Sequence, residues 1–157
     1  AGWTKAIPHD DLDALTPETV ERVMRTNFNG TYNCVREAIR SGLLTEGVIV
    51  NVSSLAAQTV NGSNVAYCAS KAAVDSMTLA WARALGPKNI RVNAVAPGLM
   101  KTDLTASWIE YHTQAAETNP LRREPTLKDV ADTVVYLAKN ESLTGVIVNT
   151  DAGQALV

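Results

Sequence analysis

The chain has 157 residues, 46% of them hydrophobic, and a formal net charge of −2 at pH 7. That is enough apolar material for the core of one ordinary domain. Arg122-Arg123 is the densest positive spot, which excludes a nucleic-acid surface because phosphate binding needs clustered Lys and Arg. No apolar run reaches the ~18 residues of a membrane span, so no transmembrane or secretory segment is assigned.

Thr16-Pro17-Glu18 opens the first helix: a hydroxyl to cap it, a proline suited to the first turn and an acid favoured by the helix dipole. This helix is expected over 16–40, ending at Ser41-Gly42. The apolar segment Gly47–Val52 reads as a buried strand. Asn61-Gly62-Ser63-Asn64 is a turn cluster, after which Val65–Leu85 reads as a long helix stopped by Gly86-Pro87. Residues 90–96 form the next strand, broken by Pro97-Gly98. Residues 101–117 carry the least pattern and are expected to serve as a lid. Thr126-x-x-Asp129 resembles a capping box opening a helix to about Lys139, and 146–150 form the last strand. Such alternation predicts an α/β fold with a parallel sheet and helices on its faces. No repeat, low-complexity tract or linker divides residues 1–157.

The residues with the most chemistry are Ser54, Tyr67 and Lys71. Tyr67 and Lys71, four apart on a helix, project from one face. An ammonium beside a phenol favours the phenolate, so the expectation is a Tyr67 drawn down from its ordinary pKa near 10. Ser54 follows the first strand, where open α/β sheets place their ligands. A bare Tyr-x-x-x-Lys is common by accident, and alone it would describe only a buried tyrosine and a snorkelling lysine. Cys34 and Cys68 fall within helices and read as reduced core thiols rather than a disulfide. His9 and His112 read as solvated, and no metal-ligand spacing occurs.

Taken in order, the motifs resemble those of the short-chain dehydrogenase/reductase family. Ala1-Gly2 resembles the end of its Asn-Ala-Gly element, and Thr26-Asn27-Phe28-Asn29-Gly30 its asparagine-bearing helix. Asn51-Val52-Ser53-Ser54 and Tyr67-x-x-x-Lys71 match its catalytic serine and Tyr/Lys pair. Ile90 to Gly98 followed by Thr102 is similar to its sixth strand and Pro-Gly-x-x-x-Thr loop, while Asn119 to Arg123 and Gly145 to Asp151 resemble its late loop and seventh strand. The resemblance implies a Rossmann-type three-layer α/β/α fold, here reduced to roughly its C-terminal half. It also implies hydride transfer between NADP or NAD and a carbonyl or secondary alcohol. Tyr67 would be the acid/base, Ser54 would hold the substrate oxygen, and Lys71 would tune Tyr67 and bind the nicotinamide ribose. Asn27 would position a water leading to Lys71. Ala1, Gly2, Pro97, Gly98, Met100 and Thr102 would join Tyr67 and Lys71 in contacting the cofactor. A cytoplasmic homo-oligomer is implied, formed through the 16–40 and Val65–Leu85 helices, the latter rich in alanine.

The family's glycine-rich phosphate turn is missing, since no Gly-x-Gly occurs in the chain. We therefore read the chain as part of a longer protein, without the cradle that dinucleotide phosphates need and inactive alone. Asp151-Ala152-Gly153 also departs from the family's Asp-Gly-Gly, and Ala152 is expected to stand only at a negative φ. Among enzymes the residues lean toward the carbonyl/L-xylulose reductase branch, with ketoacyl reductases and steroid-type dehydrogenases as alternatives. A non-catalytic scaffold of the same fold is the rival class. Trp108 and Tyr111 could meet a substrate from the lid or simply pack a helix.

Overall fold

The computed structural model describes residues 2–157, so the contact expected of Ala1 lies outside the described residues. At its centre is a parallel sheet in the order β1 (Gly47–Val52), β2 (Ile90–Pro97), β3 (Ile147–Thr150). Gly47 pairs with Ile90 and Val52 with Val95 at the two ends of the first ladder; the second runs from Ala94–Ile147 to Pro97–Thr150. β2, central and covered on both sides, is buried almost throughout. Around the sheet lie α1 (Pro17–Met24), α2 (Gly30–Arg40), α3 (Ala56–Thr59), α4 (Val65–Leu85), α5 (Ile109–Thr118) and α6 (Leu127–Lys139).

Side-chain alternation along β2 sorts the main helices into two layers. Ile90 and Val92 pack on Ala82 of α4, with Leu44, Ile49, Trp81 and Leu85 closing the cluster. Arg91 faces the other way and donates to the carbonyls of Leu137 (3.0 Å), Ala138 (2.7 Å) and Leu143 (3.1 Å). The first two lie at the carboxyl end of α6, where helical carbonyls lack partners and a cation is favourable, and Leu143 lies in the loop that follows. The result is a three-layer α/β/α arrangement. None of the described helices is long and apolar enough to cross a membrane.

Four expectations are corrected in detail. The 16–40 helix is not uniform: a π-helical turn over Arg25–Asn29 separates α1 from α2. The last strand begins at Ile147 because the Val146 amide donates to Asn93 Oδ1 at 3.0 Å instead of entering regular pairing. The lid region contains α5, whose start has no capping side chain for a sequence reading to find. Finally, Ala152 does adopt a positive φ, 56°. This left-handed conformation lets its carbonyl accept from Leu121 N at 3.3 Å, so the turn is set by a tertiary contact despite the Cβ penalty.

Candidate active site

The site is built where the carboxyl end of β1 meets the first turns of α4. Asn64, fully buried, caps α4 by accepting from Tyr67 N at 2.8 Å. Its amide donates to Thr4 Oγ1 (3.1 Å) and the Lys5 carbonyl (2.8 Å), so the cap is anchored to the chain's opening segment. The helix start, and Tyr67 with it, is thereby held in place. Ser54 follows β1 and accepts from Ala56 N at 3.2 Å, which stabilises the short α3. One turn beyond Tyr67, Lys71 is 6% exposed; its Nζ donates to the Val52 carbonyl at 2.9 Å and lies 5.8 Å from the Tyr67 ring centroid. Ser54, Tyr67 and Lys71 are thus brought together.

Burial dominates the charges here. It pushes the Tyr67 phenol above its ordinary value, the Ser54 hydroxyl pulling the other way with less effect and Cys68 adding to the rise. It also brings Lys71 down to about 8, against the opposing charge of Asp75. The expectation that Lys71 draws the phenol toward neutrality is corrected: Lys71 is engaged with a strand carbonyl, and desolvation of the phenolate outweighs nearby help. At neutral pH the site presents a protonated phenol and a buried ammonium.

Asn27 sits within the π turn and is 1% exposed. Its Oδ1 accepts from Trp3 N (2.8 Å), and its Nδ2 donates to Trp3 O (3.1 Å) and Ser70 Oγ (3.0 Å). Its carbonyl accepts from Thr31 Oγ1 at 2.8 Å. These bonds join the opening segment to α4 next to Tyr67 and Lys71, but the side chain makes none to Lys71. Gly2 lies beside it: a Cβ on Gly2 would stand 3.8 Å from Asn27 Oδ1.

Pro97 ends β2 and is buried. The lack of a side chain at Gly98 serves the tail rather than an open face. A Cβ there would meet Gln154 Oε1 at 2.6 Å and Asp151 at 3.0 Å. Met100 and Thr102 belong to one tight turn, in which Thr105 Oγ1 donates to the Met100 carbonyl (2.7 Å) and accepts from Thr102 N (3.1 Å). Thr102 opens onto a cavity of about 780 Å³ between this turn and α5, lined also by Lys101, His112 and Glu117 but not by Ser54, Tyr67 or Lys71.

Three features went unread in the sequence. Asp75 lies one turn past Lys71, with Oδ1 buried and unpartnered among the described residues. Gln154 accepts from Leu99 N at 2.9 Å and so ties the tail to the loop after β2. His112, expected in solvent, is 7% exposed, with Nδ1 2.5 Å from Glu124 Oε1 and Nε2 2.9 Å from the Thr105 carbonyl. Its α5 neighbours alone give no sign of this, because both partners come from outside the helix. Cys34 is exposed rather than core, whereas Cys68 is buried. Trp108 and Tyr111 pack edge to face, centroids 6.4 Å apart.

A parallel α/β/α sheet, with a serine just after one strand and a tyrosine and a lysine on the helix beside it, defines a Rossmann-type architecture. The chain belongs to the short-chain dehydrogenase/reductase family: the family described as "Enoyl-(Acyl carrier protein) reductase" matches residues 1–155. It is 36% identical over 140 residues to carbonyl reductase family member 4 of Danio rerio, covering 89% of this chain and 58% of that protein. It is also 36% identical over 146 residues to the 3-oxoacyl-(acyl-carrier-protein) reductase FabG of Thermotoga maritima, covering 90% and 59%. Among solved structures, the 3-ketoacyl-(acyl-carrier-protein) reductase of Brucella melitensis complexed with NADH superposes with a TM-score of 0.88 at 28% identity, covering 99% of this chain and 65% of that one. The chain therefore spans about three fifths of the length of these curated relatives. Equal identity to a carbonyl reductase and a ketoacyl reductase singles out neither branch.

Proposed function

We propose that this chain is the catalytic portion of an NAD(P)-dependent oxidoreductase that interconverts a carbonyl and a secondary alcohol. The observation that carries the reading is the meeting of Ser54, Tyr67 and Lys71 at the carboxyl end of β1, with Lys71 buried beside the Tyr67 ring. A scaffold of this fold would gain nothing from a buried lysine there, because burying an ammonium is costly.

The residues fit the nicotinamide-ribose half of such a cofactor. Lys71 carries three N–H donors and spends one on Val52, which leaves donors suited to ribose hydroxyls. Pro97, Gly98, Met100 and Thr102 would wall the ring's side of the cleft, and Gly2 the side nearest Asn27. No Gly-x-Gly turn is present to receive the pyrophosphate, so the fit ends there. A bound nicotinamide would supply the hydride chemistry. Tyr67, held protonated by burial, would donate its proton to the substrate oxygen in the reductive direction, and Ser54 would hold that oxygen by hydrogen bond. Asn27 would act by fixing the opening segment against α4 rather than through a direct bond to Lys71.

The substrates we assign are small carbonyl compounds and β-keto thioesters, the chemistry named in the two relatives. Cytoplasmic location and a homo-oligomer are part of this reading. α2 and α4 leave Tyr32, Val65 and Leu79 each more than two fifths exposed. The test is NADH and NADPH consumption by the whole protein against simple ketones and an acyl-thioester β-ketone. Absence of turnover with every pairing would sink the reading. Residues 1–157 alone should bind either dinucleotide far more weakly than the whole protein, and micromolar affinity by calorimetry would refute that part.

A further inference from the structure

Lys71 is a buried cation that makes a single hydrogen bond among the described residues, to the Val52 carbonyl. Asp75 lies four residues on, which places both side chains on the same stripe of α4. One Asp75 oxygen, Oδ1, is buried without a hydrogen-bond partner among the described residues. An orphaned buried acceptor is costly to keep, and so is a buried ammonium with unspent donors. The two do not stand in direct ion-pair contact, so their opposite charges act on each other across the seam. Ser53, at the end of β1, stands between them: its Oγ donates to the Lys71 carbonyl at 3.4 Å and is a polar neighbour of the Asp75 carboxyl.

We infer that Asp75 is a positioning residue for Lys71, a counter-charge on the buried seam between α4 and β1 that keeps the ammonium protonated. The mutual influence runs both ways, with Lys71 lowering Asp75 and Asp75 raising Lys71, each against its own burial. Other charges near this seam are turned elsewhere. From the α1 side, Arg22 stacks on Trp3 at 4.1 Å from the ring centroid and Arg25 pairs with Glu21. From α2, Arg36 and Arg40 both pair with Glu37. On α4 itself Arg83 lies more than two turns beyond Asp75, and the remaining titratable side chains are Tyr67 and Cys68, both held neutral by burial. Asp75 is therefore the negative charge that faces Lys71. For catalysis the inference rests on the role proposed above for Lys71, but the electrostatic coupling stands apart from it.

The experiment is a titration of the Lys71 ammonium, followed by NMR of isotopically labelled lysine in the chain. Asp75→Asn should lower the Lys71 midpoint by about 1 pH unit, the size expected when a nearby opposite charge is removed. Asp75→Glu should leave it near the native value. An unchanged midpoint in Asp75→Asn, or an equal fall in Asp75→Glu, overturns the inference. Should the Asp75 variants fail to fold, the reciprocal measurement decides: Lys71→Met must raise the carboxyl midpoint of Asp75, and an unmoved carboxyl refutes the coupling. In the whole protein, the pH profile of kcat/KM for Asp75→Asn should move with the Lys71 midpoint. A moved midpoint with an unmoved profile upholds the coupling and instead removes Lys71 from the proton path.

Discussion

Lys71 Nζ lies 5.8 Å from the centroid of the Tyr67 ring while donating to the Val52 carbonyl 2.9 Å away. One lysine thereby joins the helix that carries the tyrosine to the end of the strand that leads to Ser54. Burial at this seam strips the ammonium of water, which is why its proton is held less tightly than that of an exposed lysine.

Tyr67→Phe keeps the ring and removes only the hydroxyl. In the whole protein, carbonyl reduction should fall by about 10²-fold or more, as loss of a general acid does. Ser54→Ala should act chiefly on kcat. Steady-state kinetics with a saturating dinucleotide checks both, and a Tyr67→Phe variant with most of its turnover would count against the assignment.

Lys71 makes stability depend on pH in a defined direction. Its folded value is about 8 against 10.5 for an ordinary lysine, so between these the unfolded chain binds the extra proton. Stability should rise with pH across that window and, on the way down, be lost as pH falls through about 8. Lys71→Met should remove this rise with pH, whatever the loss of its bond to Val52 and of its charge beside Asp75 does to the overall level. Urea unfolding of both proteins at pH 7 and pH 10 measures this. A native curve with no rise relative to Lys71→Met is the contrary result.

Ala152 holds a φ of 56°, a conformation glycine adopts without penalty. Ala152→Gly should stabilise the fold by about 1 kcal/mol while keeping the Leu121–Ala152 backbone bond. Thermal melting reports the gain. A loss of stability would mean that the methyl group packs favourably enough to outweigh the strain.

Asn27→Ala should cost about 2 kcal/mol, because it leaves both polar backbone atoms of Trp3 without this partner and takes one from Ser70. The release of Trp3 should also change tryptophan fluorescence in the native state. A variant of native stability and spectrum would show that the opening segment is held by other contacts.

Much was legible because the signals are local. Thr16 and Thr126 were recognisable as helix starts, and both accept the capping bonds their positions imply: Thr19 N to Thr16, and Asp129 N to Thr126 with the Asp129 carboxylate accepting from Thr126 N in return. The spacing of Tyr67 and Lys71 required one helix face, and the apolar run of β2 gave the buried parallel strand expected of it. β1, expected to be buried too, stands at the end of the three-strand order and is only half-buried, with Val52 54% exposed. In each case the cause lies within a few residues, in helix geometry or in the burial of a continuous apolar run. The sequence by itself therefore determined the α/β order of elements and the set of residues that could carry chemistry.

Only the tertiary structure decided what those residues experience. Tyr67 is raised rather than lowered because burial is a property of everything packed around it. Asn27 faces Trp3 and Ser70 because the chain's start returns to α4. His112 is buried because Glu124 and Thr105 converge on it from either side of α5. Ala152 takes a left-handed turn because a loop some thirty residues earlier supplies the amide its carbonyl accepts. Spacing sets which side chains share a face; desolvation and hydrogen bonding depend on distant segments that meet only when the chain has folded.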